Sequence, residues 1–356
     1  MKNQLLIVLC LFTSSLSIGQ ESFMRFADLE RDDHNDNVFR IGFYNLENLF
    51  DLEDDSLTRD ESFTPEGSNR YTYGRYDKKK NGLGRTILAL GGWQPVELMG
   101  LCEVESAWAM DGLTKFSPLK NAGYAYIHED SPDRRGIDVA CLYQPDRFEP
   151  ILYKYFRIKF PFDPDRKTRD MLYVKGIIPN GDTLHFFVNH WPSRWGGQFV
   201  SEPSRAYVAS VLRQKVDSLQ SRFDNPLIVI TGDLNDEPDD LSLTESLGSK
   251  NSLENIQSGD LVNLMSPIKH KFGTHSFAGE WGVLDQFIVS ENLLREGKTF
   301  TSYGHVGIFD APWLLKENAA GNSVTNRTYQ GPSYKGGYSD HLPIFLDLIL
   351  MRNSSE

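Results

Sequence analysis

The chain has 356 residues, 40% hydrophobic and 12% aromatic, which is enough apolar material for a substantial core and excludes a low-hydrophobicity disordered chain. Its 37 Lys and Arg stand against 49 Asp and Glu, a formal net charge of −12. Sequence-independent polyanion binding rests on Lys and Arg, so this balance argues against a dedicated nucleic-acid-binding protein but leaves room for an enzyme that touches phosphates locally.

Met1-Lys-Asn-Gln-Leu-Leu-Ile-Val-Leu-Cys-Leu-Phe12 pairs a short basic start with an apolar stretch too short to span a bilayer, and small residues follow up to Ser17-Ile-Gly19. We expect a signal peptide over 1–19 and a secreted or periplasmic protein with no stable membrane anchor. Lys2 is the sole charge in that segment, so its loss would leave 36 basic against 49 acidic groups, a net of −13. Residues 20–37 read as a disordered polar lead-in, and 38–351 as one domain with no internal repeat or long linker.

In a strand opening at 38, Phe39, Ile41 and Phe43 alternate on one face, which continues into Asn45 and Glu47. Residues 51–75 read as a loop over the site. Leu83, Thr86, Ile87 and Leu90 follow at helical spacing, and Gly91-Gly92 stops that helix. Met99 and Leu101 then lead into Glu103. Further strands fit 138–143, 171–178 and 184–189, where Phe186 and Val188 lead into His190. A second amphipathic helix fits 203–219 and a strand follows at 227–231. Asp285 opens a strand at 284–290. The loop-rich stretch 309–337, read as the rim of a cleft, precedes Asp340 and His341, and an apolar strand closes the chain at 345–350.

Asp233 and Asn235 carry the most chemistry. By strand alternation they would stand side by side on the face of Val229 and Thr231. A carboxylate beside a neutral donor can orient or deprotonate a water and hydrogen-bond an anionic oxygen, two roles that phosphate-ester hydrolysis needs. With Asn, Asp, Glu or His ending so many apolar strands, the pattern predicts a hydrolytic metal site in one cleft. Cys102 and Cys141, in apolar runs, read first as two buried small hydrophobes, with a disulfide between them in an exported protein as the alternative. His185, His270, His275 and His305 lack metal-ligand spacing and read as structural or solvated.

As an ordered set, Asn45, Glu103, His190, Gly232-Asp-x-Asn235, Asp285 and Ser339-Asp-His341 resemble the endonuclease/exonuclease/phosphatase family, the deoxyribonuclease-I-like phosphohydrolases, from about Val38 to Leu350. Asn-Leu-Glu-Asn-Leu-Phe, Arg-Arg-Gly-Ile-Asp and Asn-His-Trp-Pro-Ser-Arg are similar to a secreted bacterial branch of it. The resemblance implies an α/β (α+β) fold, a four-layer sandwich of two mixed β-sheets flanked by helices with the site at one end. It implies Glu103 as main ligand of Mg2+ or Mn2+, with Asn45, Glu47 and Asp340 holding the metal or its waters. Asp233 would handle the attacking water, Asn235 would donate to a phosphoryl oxygen, and His341 paired with Asp285 would act as acid or base. His190 would donate to the phosphate or the leaving oxygen, and Arg135 would clamp the phosphate, with Arg134 as the competing choice. Relatives give the His190 position an acidic partner, here Glu129, Asp130 or Asp133.

The expected activity is that of an exported divalent-metal-dependent phosphodiester hydrolase, a nuclease first, acting as a monomer. The alternatives are a phosphatase or phosphodiesterase on lipid or small organic phosphates, and a catalytically inactive binding protein on the same scaffold. In the His190-Trp-Pro-Ser-Arg-Trp-Gly-Gly197 stretch, Trp191 and Trp195 could stack on a base or pack, and Arg194 could contact phosphate or cap the loop. No stretch reads as a membrane-docking hairpin of paired exposed aromatics, which counts against a lipid substrate.

Overall fold

The structure, a computed structural model, describes residues 24–25, 36–269 and 272–351. The segment read as a signal peptide, with Cys10, lies outside the described residues, as do most of the lead-in and His270.

Alternating apolar side chains build two mixed sheets that stack face to face. The main strands are β1 (Val38–Leu49), β2 (Leu98–Val104), β3 (Ala125–His128), β4 (Asp138–Tyr143), β5 (Glu149–Phe156), β6 (Met171–Ile177), β7 (Thr183–His190), β8 (Leu227–Asp233), β9 (Asp285–Ser290), β10 (Val306–Ile308) and β11 (Ile344–Leu350). Sheet one runs Met24–Arg25, β10, β11, β1, β2, β4, β3, with Thr299–Phe300 also pairing β11. Sheet two runs Ser249–Lys250, Leu261–Asn263, β9, β8, β7, β6, β5. Phe39, Ile41 and Phe43 of β1 share one buried cluster with Phe186 and Val188 of β7, Val229 of β8, and Phe287 and Val289 of β9. Residues of the opposite register, such as Phe187, Ile228, Ile230 and Ile288, pack instead with Val208, Ala209, Leu212 and Val216 of a helix.

That helix is α3 (Gln198–Gln220), longer at its start than the sequence pattern implied because Gly196 and Gly197, both at positive φ, turn the chain into it. On the outer side of sheet one lies α1 (Tyr73–Gly91), its Leu83, Ile87 and Leu90 buried, and Gly92 at φ 70 caps its end. The shorter α2 (Ala107–Lys115), which the sequence reading missed, packs beside α1 and is capped by Ser106, whose hydroxyl accepts from the Ala109 amide. Helix, sheet, sheet, helix is the four-layer sandwich that was expected.

The strand readings hold except for β3 and β5 and several two- or three-residue pairings. β5 is an edge strand with Ile151, Leu152 and Tyr153 about half exposed, so no buried face imposes an alternation to read. The 309–337 stretch is mostly loop but contains two short hairpins, Leu315–Glu317 with Ser323–Thr325 and Tyr329–Gln330 with Ser333–Tyr334. Cys102 and Cys141 are free and buried. Among the described residues no helix is long and apolar enough to cross a membrane.

Gly232, just before the end of β8, approaches β7 so closely that an added Cβ would lie 2.3 Å from the Asn189 carbonyl oxygen, at φ +155. Gly232→Ala is therefore expected to cost about 2–4 kcal/mol of unfolding free energy, read as a lower urea midpoint at unchanged slope. A midpoint equal to that of the parent would contradict the close packing of β7 on β8.

Candidate active site

Strand direction decides where the polar side chains gather. β1 and β2 run parallel, as do β7 and β8, so their C-terminal ends share one edge of the sandwich. β9 and β11 run antiparallel to them and bring their N-terminal ends to that edge. Register sets His190 beside Asp233 and Asp233 beside Asp285, so three adjacent strands of sheet two present these side chains in a row. Asn45 and Glu103 come from sheet one, and Asp340 and His341 from the turn entering β11.

Simple alternation holds for Asn45, His190, Asp233 and Asp285 and fails elsewhere. A Cβ at Gly42 would lie 3.2 Å from both Leu90 of α1 and Met99, so Met99 faces the helix layer rather than the other sheet. Leu101 follows it, and Glu103 would too. Instead Glu103 sits at φ 62, at a register shift between β2 and β4, and its carboxylate reaches the cleft 3.7 Å from His190 Nε2. Asn235 is likewise not on the strand. β8 ends at Asp233, Asn235 has φ 52, and its amide donates to Asp233 Oδ1 at 3.0 Å in an Asx turn. Glu47 and Asn48, at φ 47 and 60, bend β1 in the same way. Such conformations are costly for non-glycine residues, and here they cluster at one site.

A connected row of ionisable groups results. His341 Nδ1 donates to Asp285 Oδ2 at 2.7 Å, and its Nε2 lies 3.7 Å from Asp233 Oδ2. Asn45 Nδ2 donates to that Asp233 oxygen at 3.1 Å, and His190 Nε2 lies 3.7 Å from it on the other side. Burial opposes charge on His341, but Asp285 and Asp233 outweigh it and hold the imidazole well above its ordinary pKa. Burial, with smaller contributions from Asp285 and Glu103, pushes Asp233 up to about 7 against the pull of His341. His190 goes the other way: burial, then Arg169 and Arg135, hold it well below its ordinary value and keep it neutral. One imidazole of the pair is thus charged and the other is not.

The oxygen donors proposed for a metal are divided. Glu103 Oε2 accepts from the Asn48 amide at 2.9 Å, while Oε1 lies 3.7 Å from His190 Nε2 and 4.0 Å from Arg135. Asp340 pairs with Arg327 at 2.6 Å. Glu47 is turned to the neighbouring loop, where it accepts from the Thr328 and Tyr329 amides at 2.6 and 3.4 Å. Burial and then Asp340 raise Glu47 to about 7. Carboxylate and carboxamide oxygens surround a cleft whose acids crowd one another, a donor set that suits a hard divalent cation.

The sequence reading missed Lys79, Arg327, Thr328 and His275. Lys79 reaches from α1 to donate to Thr328 Oγ1 and the Tyr338 carbonyl at 2.6 and 2.7 Å, and burial lowers it to about 8. His275, read as structural or solvated, sits with its ring 4.6 Å from that of His341 and its Nε2 3.9 Å from Asp340. No periodic pattern marks these residues; the nearest signal was that the 309–337 stretch ran into Asp340.

Of the three acids considered for His190, none reaches it by hydrogen bond, and its Nδ1 is buried without one. Asp133 is held by Arg169 at 3.1 Å and by the Arg135 amide at 2.9 Å. Arg135 is the cleft arginine, while Arg134 turns to the Asp165 carbonyl. Arg194 caps the loop, donating to the Asn235 carbonyl and to Asp240, both at 2.8 Å. Trp191 is packed in the core, but Trp195 and Phe199 are 89% and 90% exposed. The two rings sit on a turn and a helix start, where strand alternation gives no reading, and they do not form a hairpin of paired aromatics.

Asp285→Asn is expected to bring the His341 pKa down toward its ordinary range in metal-free protein, measured by NMR titration of the imidazole. Because the folded value is the higher one, the stability this pair adds is present below about pH 6.5 and fades as pH rises through the folded pKa. An unshifted titration in the variant would contradict the assignment.

Residues 40–350 match the model of a family described as Endonuclease/Exonuclease/phosphatase. Among solved structures, a Bacteroides thetaiotaomicron endonuclease/exonuclease/phosphatase family protein is 15% identical at a TM-score of 0.57, covering 89% of this chain and 99% of its own. A Bacteroides thetaiotaomicron mannosyl-6-phosphatase is 16% identical at 0.56, covering 88% and 100%. D. rerio TDP2 complexed with a single-strand DNA product is 12% identical at 0.53, covering 88% and 99%. Identities this low carry the fold and not the substrate. No curated protein matches the chain in sequence.

Proposed function

Because the chain belongs to the endonuclease/exonuclease/phosphatase family of phosphoester hydrolases, we propose that it is an exported, divalent-metal-dependent phosphodiesterase whose substrate is nucleic acid. The observation that carries this is the row Asp285, His341, Asp233 and Asn45, joined by contacts of 2.7, 3.7 and 3.1 Å. Asp233, raised to about 7, is poised to take a proton from water, and its carboxylate is held in place by Asn45 at Oδ2 and by the Asn235 amide at Oδ1. His341, kept protonated by Asp285, supplies a positive N–H beside it for a phosphoryl oxygen. His190, neutral, offers a second ring N–H, and Arg135 offers a planar fork at the cleft mouth. Asn235 donates to the Trp191 carbonyl at 3.1 Å and keeps a second amide hydrogen for substrate.

Glu103, Asn45 and Asp340 would hold Mg2+ or Mn2+, which when bound neutralises charge developing on a phosphoryl oxygen. Glu47 is then a positioning residue for the 327–329 loop and through it for Arg327, which holds Asp340.

Trp195 and Phe199 also favour a second reading, a phosphodiesterase on lipid headgroups, because exposed rings suit an acyl interface as well as a base. Purified protein with Mg2+, Mn2+ or EDTA, given a single-stranded oligonucleotide, RNA, sphingomyelin vesicles and a chromogenic phosphodiester, separates the two. Oligonucleotide cleavage that EDTA abolishes is the expected result; metal-dependent turnover confined to vesicles would favour the lipid reading, and none on any substrate would sink the hydrolase proposal. Asp233→Asn should lower kcat by roughly 10²–10⁴-fold at an unchanged melting temperature. Trp195→Ala should raise KM for the oligonucleotide several-fold and leave kcat alone.

A further inference from the structure

Apart from the Asp233 row, Asp130 and Asp138 line a largely acidic cavity of about 610 Å³ together with Asp51, Asp54, Glu105 and Lys167, and His128 stands buried behind Asp138. Acidic clusters are common on negatively charged proteins and by themselves mean little. The distinguishing observation is His128, whose side chain is only 2% exposed at the end of β3. Its Nε2 is buried with no hydrogen-bond partner and points at Asp138 Oδ2 from 3.6 Å.

That distance is too long for a hydrogen bond. It is close to the separation that two ligands of one ion adopt: zinc–nitrogen bonds of about 2.0–2.1 Å and zinc–oxygen bonds of about 2.0–2.2 Å at a tetrahedral angle put the two atoms about 3.3–3.5 Å apart. Asp130 supplies a third ligand atom, all three lying within 4.8 Å of one another. Asp138 is oriented for the task, because its other oxygen accepts from the Ser131 amide at 2.8 Å. We propose that His128, Asp130 and Asp138 bind a zinc ion, with the cavity side open to water. One imidazole with two carboxylates suits zinc, whereas Mg2+ prefers oxygen alone.

The consequence lies in the loop. Residues 131–135 leave β3 just after His128 and Asp130 and return through Gly136 to Asp138, so an ion held by these three closes the base of the loop that presents Arg135 and Asp133. This zinc is a positioning element, separate from any cation of the hydrolytic cleft.

The test is zinc chloride binding to the full chain carrying Glu103→Gln, which removes the main ligand expected of the cleft. Equilibrium dialysis should find a zinc that His128→Gln and, independently, Asp130→Asn each weaken at least tenfold, with X-ray absorption losing a nitrogen scatterer in H128Q. Asp130 is exposed, so its substitution leaves folding intact even where the buried H128Q fails to fold. Zinc stoichiometry and affinity unchanged by Asp130→Asn would overturn the proposal.

Discussion

The arrangement depends on a constraint at the centre of sheet two: β8 pairs parallel with β7 and antiparallel with β9, in a register that leaves no freedom at its end. His190, Asp233 and Asp285 are forced into one row because each is in phase with the apolar residues that bury the facing sheets. Slipping any of these strands by one residue would turn its ionisable group toward α3 and expose its core face. The hydrophobic packing that stabilises the sandwich therefore also fixes the chemistry, and few separate interactions are needed to aim these groups.

Burying such a row has an energetic cost, and the charges share it unequally. Two carboxylates flank His341 and keep it charged, two guanidinium groups help burial to keep His190 neutral, and Asp233 between them is left near neutrality in its titration. The acids around the row are met by cations from remote chain segments: Lys79 of α1 interacts electrostatically with Glu47 and Asp340, Arg327 from a hairpin-bearing loop pairs with Asp340, and Arg169 ahead of β6 pairs with Asp133. Buried ion pairs of this kind contribute little to stability in themselves but penalise any rearrangement that leaves one member alone.

This division explains what was legible in the sequence. Asn45, His190, Asp233 and Asp285 stand at positions that alternation predicts, so reading apolar period-two runs to their polar ends finds them. Glu103 was found although the face assigned to Met99 and Leu101 was wrong, because a left-handed residue at a bulge returns it to the cleft. Asn235 was found for a similar reason, through an Asx turn rather than a continuing strand. His275, Lys79 and Arg327 were not legible. His275 is set beside His341 by a single isolated bridge, Lys79 is one of several lysines on a helix, and Arg327 lies in a loop; no period in the chain relates them to the strands they serve.

The position of β11 has a further consequence. This strand comes late in the chain yet lies in the middle of sheet one, between β10 and β1, and the turn before it delivers Asp340 and His341. A chain emerging in order from N- to C-terminus can assemble most of sheet two and the Asp233 turn while the slot beside β1 is still open. Until β11 fills it, Asp285 lacks its imidazole partner and Asp233 lacks the neighbouring His341, so the row of ionisable groups is incomplete. Assembly of the site is thereby coupled to completion of the fold.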